Sequence, residues 1–105
     1  MAPYDDVYKE LSKTWAAMQD TFDMQAQRRR FAALEEERTA KGFWNAREDR
    51  TKMDEWNSLQ SRLEMAGSID AGLDELAVLN ELLSQDDDRE LHREADRLVE
   101  RVRKL

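Results

Sequence analysis

From Met53 to Leu83, apolar residues recur at steps of three and four: Met53, Trp56, Leu59, Leu63, Ala66, Ile69, Leu73, Leu76, Leu79 and Leu83. That spacing puts them on one side of a helix and lies close to the heptad seam of a coiled coil. One helix over about residues 46–84 would be roughly 58 Å long at about 1.5 Å per residue. Gly67 and Gly72 fall inside it, each about 1 kcal/mol worse than Ala in a helix interior. They mark a bend, a close helix crossing or a break; the unbroken seam favours a continuous helix. Such a helix cannot bury its seam alone, so its neighbours must be helices as well.

The flanking segments supply them. Tyr4, Val7, Tyr8, Leu11, Trp15, Met18 and Phe22 form a stripe at the same spacing, which predicts a helix over about 4–20. Pro3 suits a first turn, and Asp5 and Asp6 suit the positive end of the helix dipole. Asp23 is a candidate N-cap for a second helix over about 24–40, with Met24, Gln27, Phe31, Leu34 and Arg38 on one face. Only three of these are apolar, so the face is thin, and Glu35, Glu36 and Glu37 are expected to face water. Lys41-Gly42 would end that helix. Phe43 and Trp44 then fall in a turn, as plugs for the end of a bundle or as a partner-binding pair. Asn45 caps the long helix, with Glu48 completing a capping box. Asp86-Asp87-Asp88 starts a last helix over about 87–105, where Leu91, Ala95, Leu98, Val102 and Leu105 form a stripe that folds back on the long helix. The expected fold is therefore all-α: one domain over 1–105, a bundle of about four helices with a long antiparallel coiled-coil-like hairpin.

Composition narrows the function classes. No Cys is present, so disulfides, thiol catalysis and thiolate metal sites are ruled out. His92 is the one histidine. It lies off the Leu91/Leu98 stripe beside Arg89 and Arg93, so a surface role is expected. No two glycines are adjacent, which excludes a phosphate-cradling loop. Asp86–Asp88 lacks the alternating spacing and internal Gly of a calcium loop, so capping is its expected role. No catalytic, cofactor-binding or metal-binding residue is assigned, and the chain is not expected to be an enzyme. The net charge of −7 argues against nonspecific binding to DNA. No apolar run approaches the roughly 20 residues of a membrane span, and the N-terminus has no signal-peptide pattern.

One local feature breaks the acidic balance. Arg28-Arg29-Arg30 concentrates positive charge on the second helix. It is either a solvated face pairing with nearby Glu, or a contact for phosphate or for an acidic patch on a partner.

The order Phe22-Asp23, Arg28-Arg29-Arg30, Glu35-Glu36-Glu37, Phe43-Trp44-Asn45, Ser58-Leu59, Gly72-Leu73, Leu79, Leu82-Leu83 and Asp86-Asp87-Asp88 resembles the N-terminal helical domain of bacterial peptide chain release factor 2. The likeness runs from about Phe22 to Leu105. Ala40-Lys41-Gly42 stands where that family usually has Asp-Pro. The resemblance implies a cytoplasmic, non-catalytic docking domain of translation termination. Its partners would be the stalk-base region of the large ribosomal subunit and the class-II release factor. The stop-codon-reading Ser-Pro-Phe and the peptidyl-tRNA-hydrolysing Gly-Gly-Gln of such factors do not occur here. The last helix ends in mid-pattern, so a fragment of a longer factor is expected. The reading from the residues alone remains beside it: a coiled-coil adaptor or assembly protein unrelated to ribosomes, with self-association through uncovered helix seams.

Overall fold

The computed structural model describes residues 2–41 and 50–105. The fold is all-α, with four helices and no strand among the described residues: α1 (Asp5–Thr21), α2 (Met24–Lys41), α3 (Arg50–Gln85) and α4 (Arg89–Lys104). Helix α3 runs unbroken through Gly67 and Gly72. The expected start of this helix near residue 46, and the Asn45 cap, lie outside the described residues.

The chain divides into two compact units, one of Met1–Met18 with Ala66–Leu105 and one of Gln19–Met65. In the first, the second half of α3 and α4 form an antiparallel hairpin joined at residues 86–88. Ala66, Ile69, Leu73, Leu76, Leu79 and Leu83 of α3 are buried with Ala95, Leu98, Val99 and Val102 of α4. All but Val99 are seam positions that the spacing predicts; of the other two members of the expected α4 stripe, Leu91 is half-buried and Leu105 is exposed. Gly72 packs directly against α4. A Cβ built there would lie 2.6 Å from Val102 Cγ2 and 3.8 Å from Leu98 Cδ1, so only hydrogen fits. Gly67 has open space around it. Asp88 caps α4, its Oδ1 accepting from the Glu90 and Leu91 backbone N–H groups at 2.8 and 3.4 Å. Arg101, Arg103 and Lys104 complement the dipole at the other end.

Helix α1 joins this unit through both apolar and polar contacts. Trp15, and Tyr4 in the turn just before the helix, are the buried hydrophobic anchors, while Val7, Tyr8 and Leu11 are half-buried. The Tyr4 N–H donates to Asn80 Oδ1 at 2.8 Å, and Asn80 Nδ2 donates to Asp5 Oδ1 at 2.8 Å. The Tyr4 hydroxyl lies 2.6 Å from Asp96 Oδ1 and 3.0 Å from the His92 carbonyl. Trp15 Nε1 donates to Asp70 Oδ1 at 2.7 Å. The expected α1 stripe is too long at its C-terminal end: Met18 and Phe22 are exposed.

The second unit is held by a smaller core. Leu34 of α2 and Leu59 of α3 are buried, with Phe31, Met53 and Trp56 packed against them. Pairings run in opposite senses, Arg30 with Glu55 and Glu37 with Lys52, so α2 and this part of α3 are antiparallel. Between α1 and α2 the chain turns on Phe22 and Asp23. Asp23 adopts φ 46°, a left-handed conformation that Asp tolerates better than most residues. Its Oδ1 still accepts from the Ala26 N–H at 3.2 Å, the capping role its sequence position suggested.

Candidate interaction surface on the second helix

The buried side of α2 is set by Met24 and Leu34, with Gln27 and Phe31 half-buried between them. At 3.6 residues per turn, Arg29 then points away from the core, while Arg28 and Arg30 project from its two flanks. All three are exposed, but they are not equivalent. Arg30 faces α3, where Nε and Nη2 donate to Glu55 Oε2 and Oε1 at 2.9 and 2.8 Å. This two-pronged bond, reinforced by the charge of Glu55, raises the guanidinium above its ordinary pKa. The same bond holds the Glu55 carboxyl below the usual carboxylate value.

Arg28 and Arg29 make no ion pair among the described residues. The sequence shows why. One turn either side of Arg28 are Met24, Gln25, Phe31 and Ala32; around Arg29 are Gln25, Ala26, Ala32 and Ala33. No carboxylate stands at the spacing where helical side chains meet. The pairing with nearby Glu weighed from the sequence therefore applies to Arg30 alone, and its Glu comes from another helix. Two exposed guanidinium groups therefore have no acidic neighbour along α2, and the guanidinium fork is suited to phosphate or carboxylate. Their unit, Gln19–Met65, has nine Lys and Arg against ten Asp and Glu; the other unit has eight against fourteen. The free arginines thus belong to the nearly neutral part of the chain.

The C-terminal half of α2 is closed by its own contacts. Phe31 and Trp56 stack at 5.6 Å between ring centroids, and Arg38 lies 4.9 Å over the Trp56 ring. Glu35 accepts from Trp56 Nε1 and pairs with Arg38; Glu37 pairs with Lys52. Two expectations change here. Glu35 and Glu37 are half-buried rather than solvent-facing, and Trp56, a member of the expected seam, is only half-buried. The physical reason is the thin α2 face, which leaves room beside Leu34 for charged groups to fold over the indole. Phe43, Trp44 and Asn45, the expected structural turn, lie outside the described residues.

His92 is half-buried rather than free on the surface. Its ring lies 5.9 Å from that of Tyr4, and Nε2 is 2.7 Å from Asp87 Oδ1. The Tyr4 phenol beside it is pushed up to about 12, chiefly by burial and then by its hydrogen bond to Asp96 and that carboxylate's charge. Sequence reasoning assigns no role to Asn80, which is buried in the core. A signal existed: a polar residue four after Leu76 and three before Leu83 occupies a seam position.

Among the described residues no group of three or more His, Asp or Glu could hold a metal ion, and no helix is long and apolar enough to cross a membrane. A scan against protein-family models and searches of curated proteins and of solved structures return no match to this chain.

Proposed function

We propose that this chain is the N-terminal helical domain of a cytoplasmic peptide chain release factor. It would be a non-catalytic piece that docks on the large ribosomal subunit near the stalk base and on the class-II release factor. The observation that carries the reading is the state of the Arg triplet: Arg30 is held by Glu55, while Arg28 and Arg29 stand exposed and unpaired among the described residues. Together with the sequence resemblance, that favours a surface made for contact. The chain has no Gly-Gly pair, and its one Pro is Pro3. Neither the hydrolytic loop nor the codon reader of such factors is therefore within it, and the chain alone would release no peptide from a termination complex.

Co-sedimentation with large ribosomal subunits tests the reading. Wild type should sediment with the subunits, and Arg28→Ala/Arg29→Ala should do so several-fold less. Equal sedimentation of both would remove these arginines from the interface. Failure of the wild type to sediment would overturn the assignment. In that event the coiled-coil adaptor reading stands, and the exposed Met18, Phe22, Met65, Val78 and Leu82 favour it.

A further inference from the structure

The second half of α3 carries a face that its own unit leaves uncovered. Ala71, Val78 and Leu82 are spaced by seven and four, so they share one side of the helix. All three are exposed, Val78 at 60 % and Leu82 at 45 %. Leu76, Leu79 and Leu83 on the opposite side are already buried. Single exposed apolar residues are ordinary on a protein surface; a stripe along a helix is less so. Beside it runs an open groove of about 260 Å³, lined by Ser68, Ala71, Gly72, Glu75, Arg101 and Leu105. The groove shares Ala71 with the stripe and ends at the exposed Leu105, which extends the apolar surface.

The charges that α3 itself sets around the stripe have one sign, and Arg101 of α4 is the cation lining the groove beside it. No Lys or Arg occurs between Arg62 and Arg89, while Glu64, Asp70, Asp74, Glu75, Glu81 and Asp86–Asp88 all fall there. The four helical neighbours of Val78 at three and four residues are Asp74, Glu75, Glu81 and Leu82. Three are acidic and the fourth is the other apolar member. Of the three, only Glu75 has an ion-pair partner among the described residues, Arg101 at 3.5 Å.

We infer that this face docks a basic amphipathic helix of a partner protein. The partner's apolar side lies along Ala71, Val78 and Leu82, and its flanking Lys or Arg meet Asp74, Glu75 and Glu81. The stripe supplies the spacing by which such a helix is gripped, and the carboxylates supply orientation and attraction. A second copy laid symmetrically on the same face would set like charges against each other, so a partner of opposite charge fits better. The inference uses no residue of the α2 surface and stands apart from the ribosomal reading.

The test titrates the full chain with a synthetic helical peptide that has a Leu seam flanked by Lys. A matched peptide with Glu in place of Lys is the control, and both are followed by amide chemical shifts. The Lys peptide should bind one to one and move resonances between residues 71 and 85, whereas the Glu peptide should not bind. Val78→Ser/Leu82→Ser should weaken binding at least tenfold, and Asp74→Asn/Glu81→Gln several-fold with a shallower salt dependence. Circular dichroism verifies that these surface variants keep their helices. Equal binding by the variants, binding of both peptides alike, or no binding at all would overturn the inference. So would a wild-type dimer in light scattering that Val78→Ser/Leu82→Ser dissolves, since the face would then belong to a second copy.

Discussion

Gly67 and Gly72 stand five residues apart in one helix, yet replacing each by Ala should act with opposite sign. At Gly67 the new methyl meets nothing within 4 Å, so only the helix preference for Ala remains. Gly67→Ala should stabilise by up to about 1 kcal/mol. At Gly72 the methyl would press on buried Val102 at 2.6 Å, and overpacking of this kind costs about 1–3 kcal/mol. Gly72→Ala should therefore lose stability despite the better helix former, and thermal melts of the two variants should shift in opposite directions. Tyr4 offers a second residue-scale test. Its phenol titrates near 12 in the fold and near 10 in an unfolded chain, so the fold favours the protonated form. That contribution is fully present below about pH 10 and is lost as pH rises from about 10 toward 12. Tyr4→Phe should lower stability at neutral pH by about 1–2 kcal/mol, the cost of stripping a partner from Asp96 and the His92 carbonyl. It should also flatten the alkaline limb of a stability profile followed by circular dichroism; an unchanged limb would place the alkaline loss on another group.

At the scale of the element, α4 shows what one cap contributes. Asp88 satisfies two of the backbone N–H groups that a helix start leaves without partners. Asp88→Ala should therefore cost about 0.5–2 kcal/mol, read as a lower urea midpoint with an unchanged slope. Asp86→Ala, outside that cap, should do much less. The same cap made α4 legible in the sequence, and the four helices lie close to where spacing and capping residues put them. Helix α1 was expected over about 4–20 and spans Asp5–Thr21; α2 was expected over about 24–40 and spans Met24–Lys41. Periodicity finds a helix because backbone geometry repeats along it. It does not say where along a stripe a neighbour stops covering it, which is why Met18 and Phe22 continue the α1 stripe and are nevertheless exposed. Polar groups are harder still. Tyr4, Asn80, Asp5 and Asp96 are joined over separations of up to 92 residues, and no local pattern encodes that meeting. The candidate surface was half legible: three adjacent arginines stand out in an acidic chain. Which of them stays free depends on Glu55, twenty-five residues from Arg30.

Across the whole molecule, hydrophobic burial is shared unequally between the two units. Among the described residues, Met1–Met18 with Ala66–Leu105 buries a dozen apolar residues plus Asn80, whereas Gln19–Met65 buries Met24, Leu34 and Leu59. Burial of apolar surface is the main favourable term in folding, so local opening should be easier in the second unit. Hydrogen exchange should show weaker protection in α2 than in α4, although both are regular helices of similar length. Among the described residues, Leu34 and Leu76 are the fully buried large side chains, one in each unit, and each truncation to Ala should cost roughly 2–5 kcal/mol. The consequences should differ. Leu34→Ala removes a principal member of a small core, so α2 and the Arg50–Met65 part of α3 should lose protection while Ala66–Leu105 keeps it. Leu76→Ala leaves the other buried residues of the larger core in place and should lower protection through α4 without unfolding it. If Leu34→Ala instead reduced protection evenly from Asp5 to Lys104, α3 would be coupling the units into one cooperative block. The surface arginines of α2 would then gain their rigidity from the larger core rather than from Leu34 and Leu59.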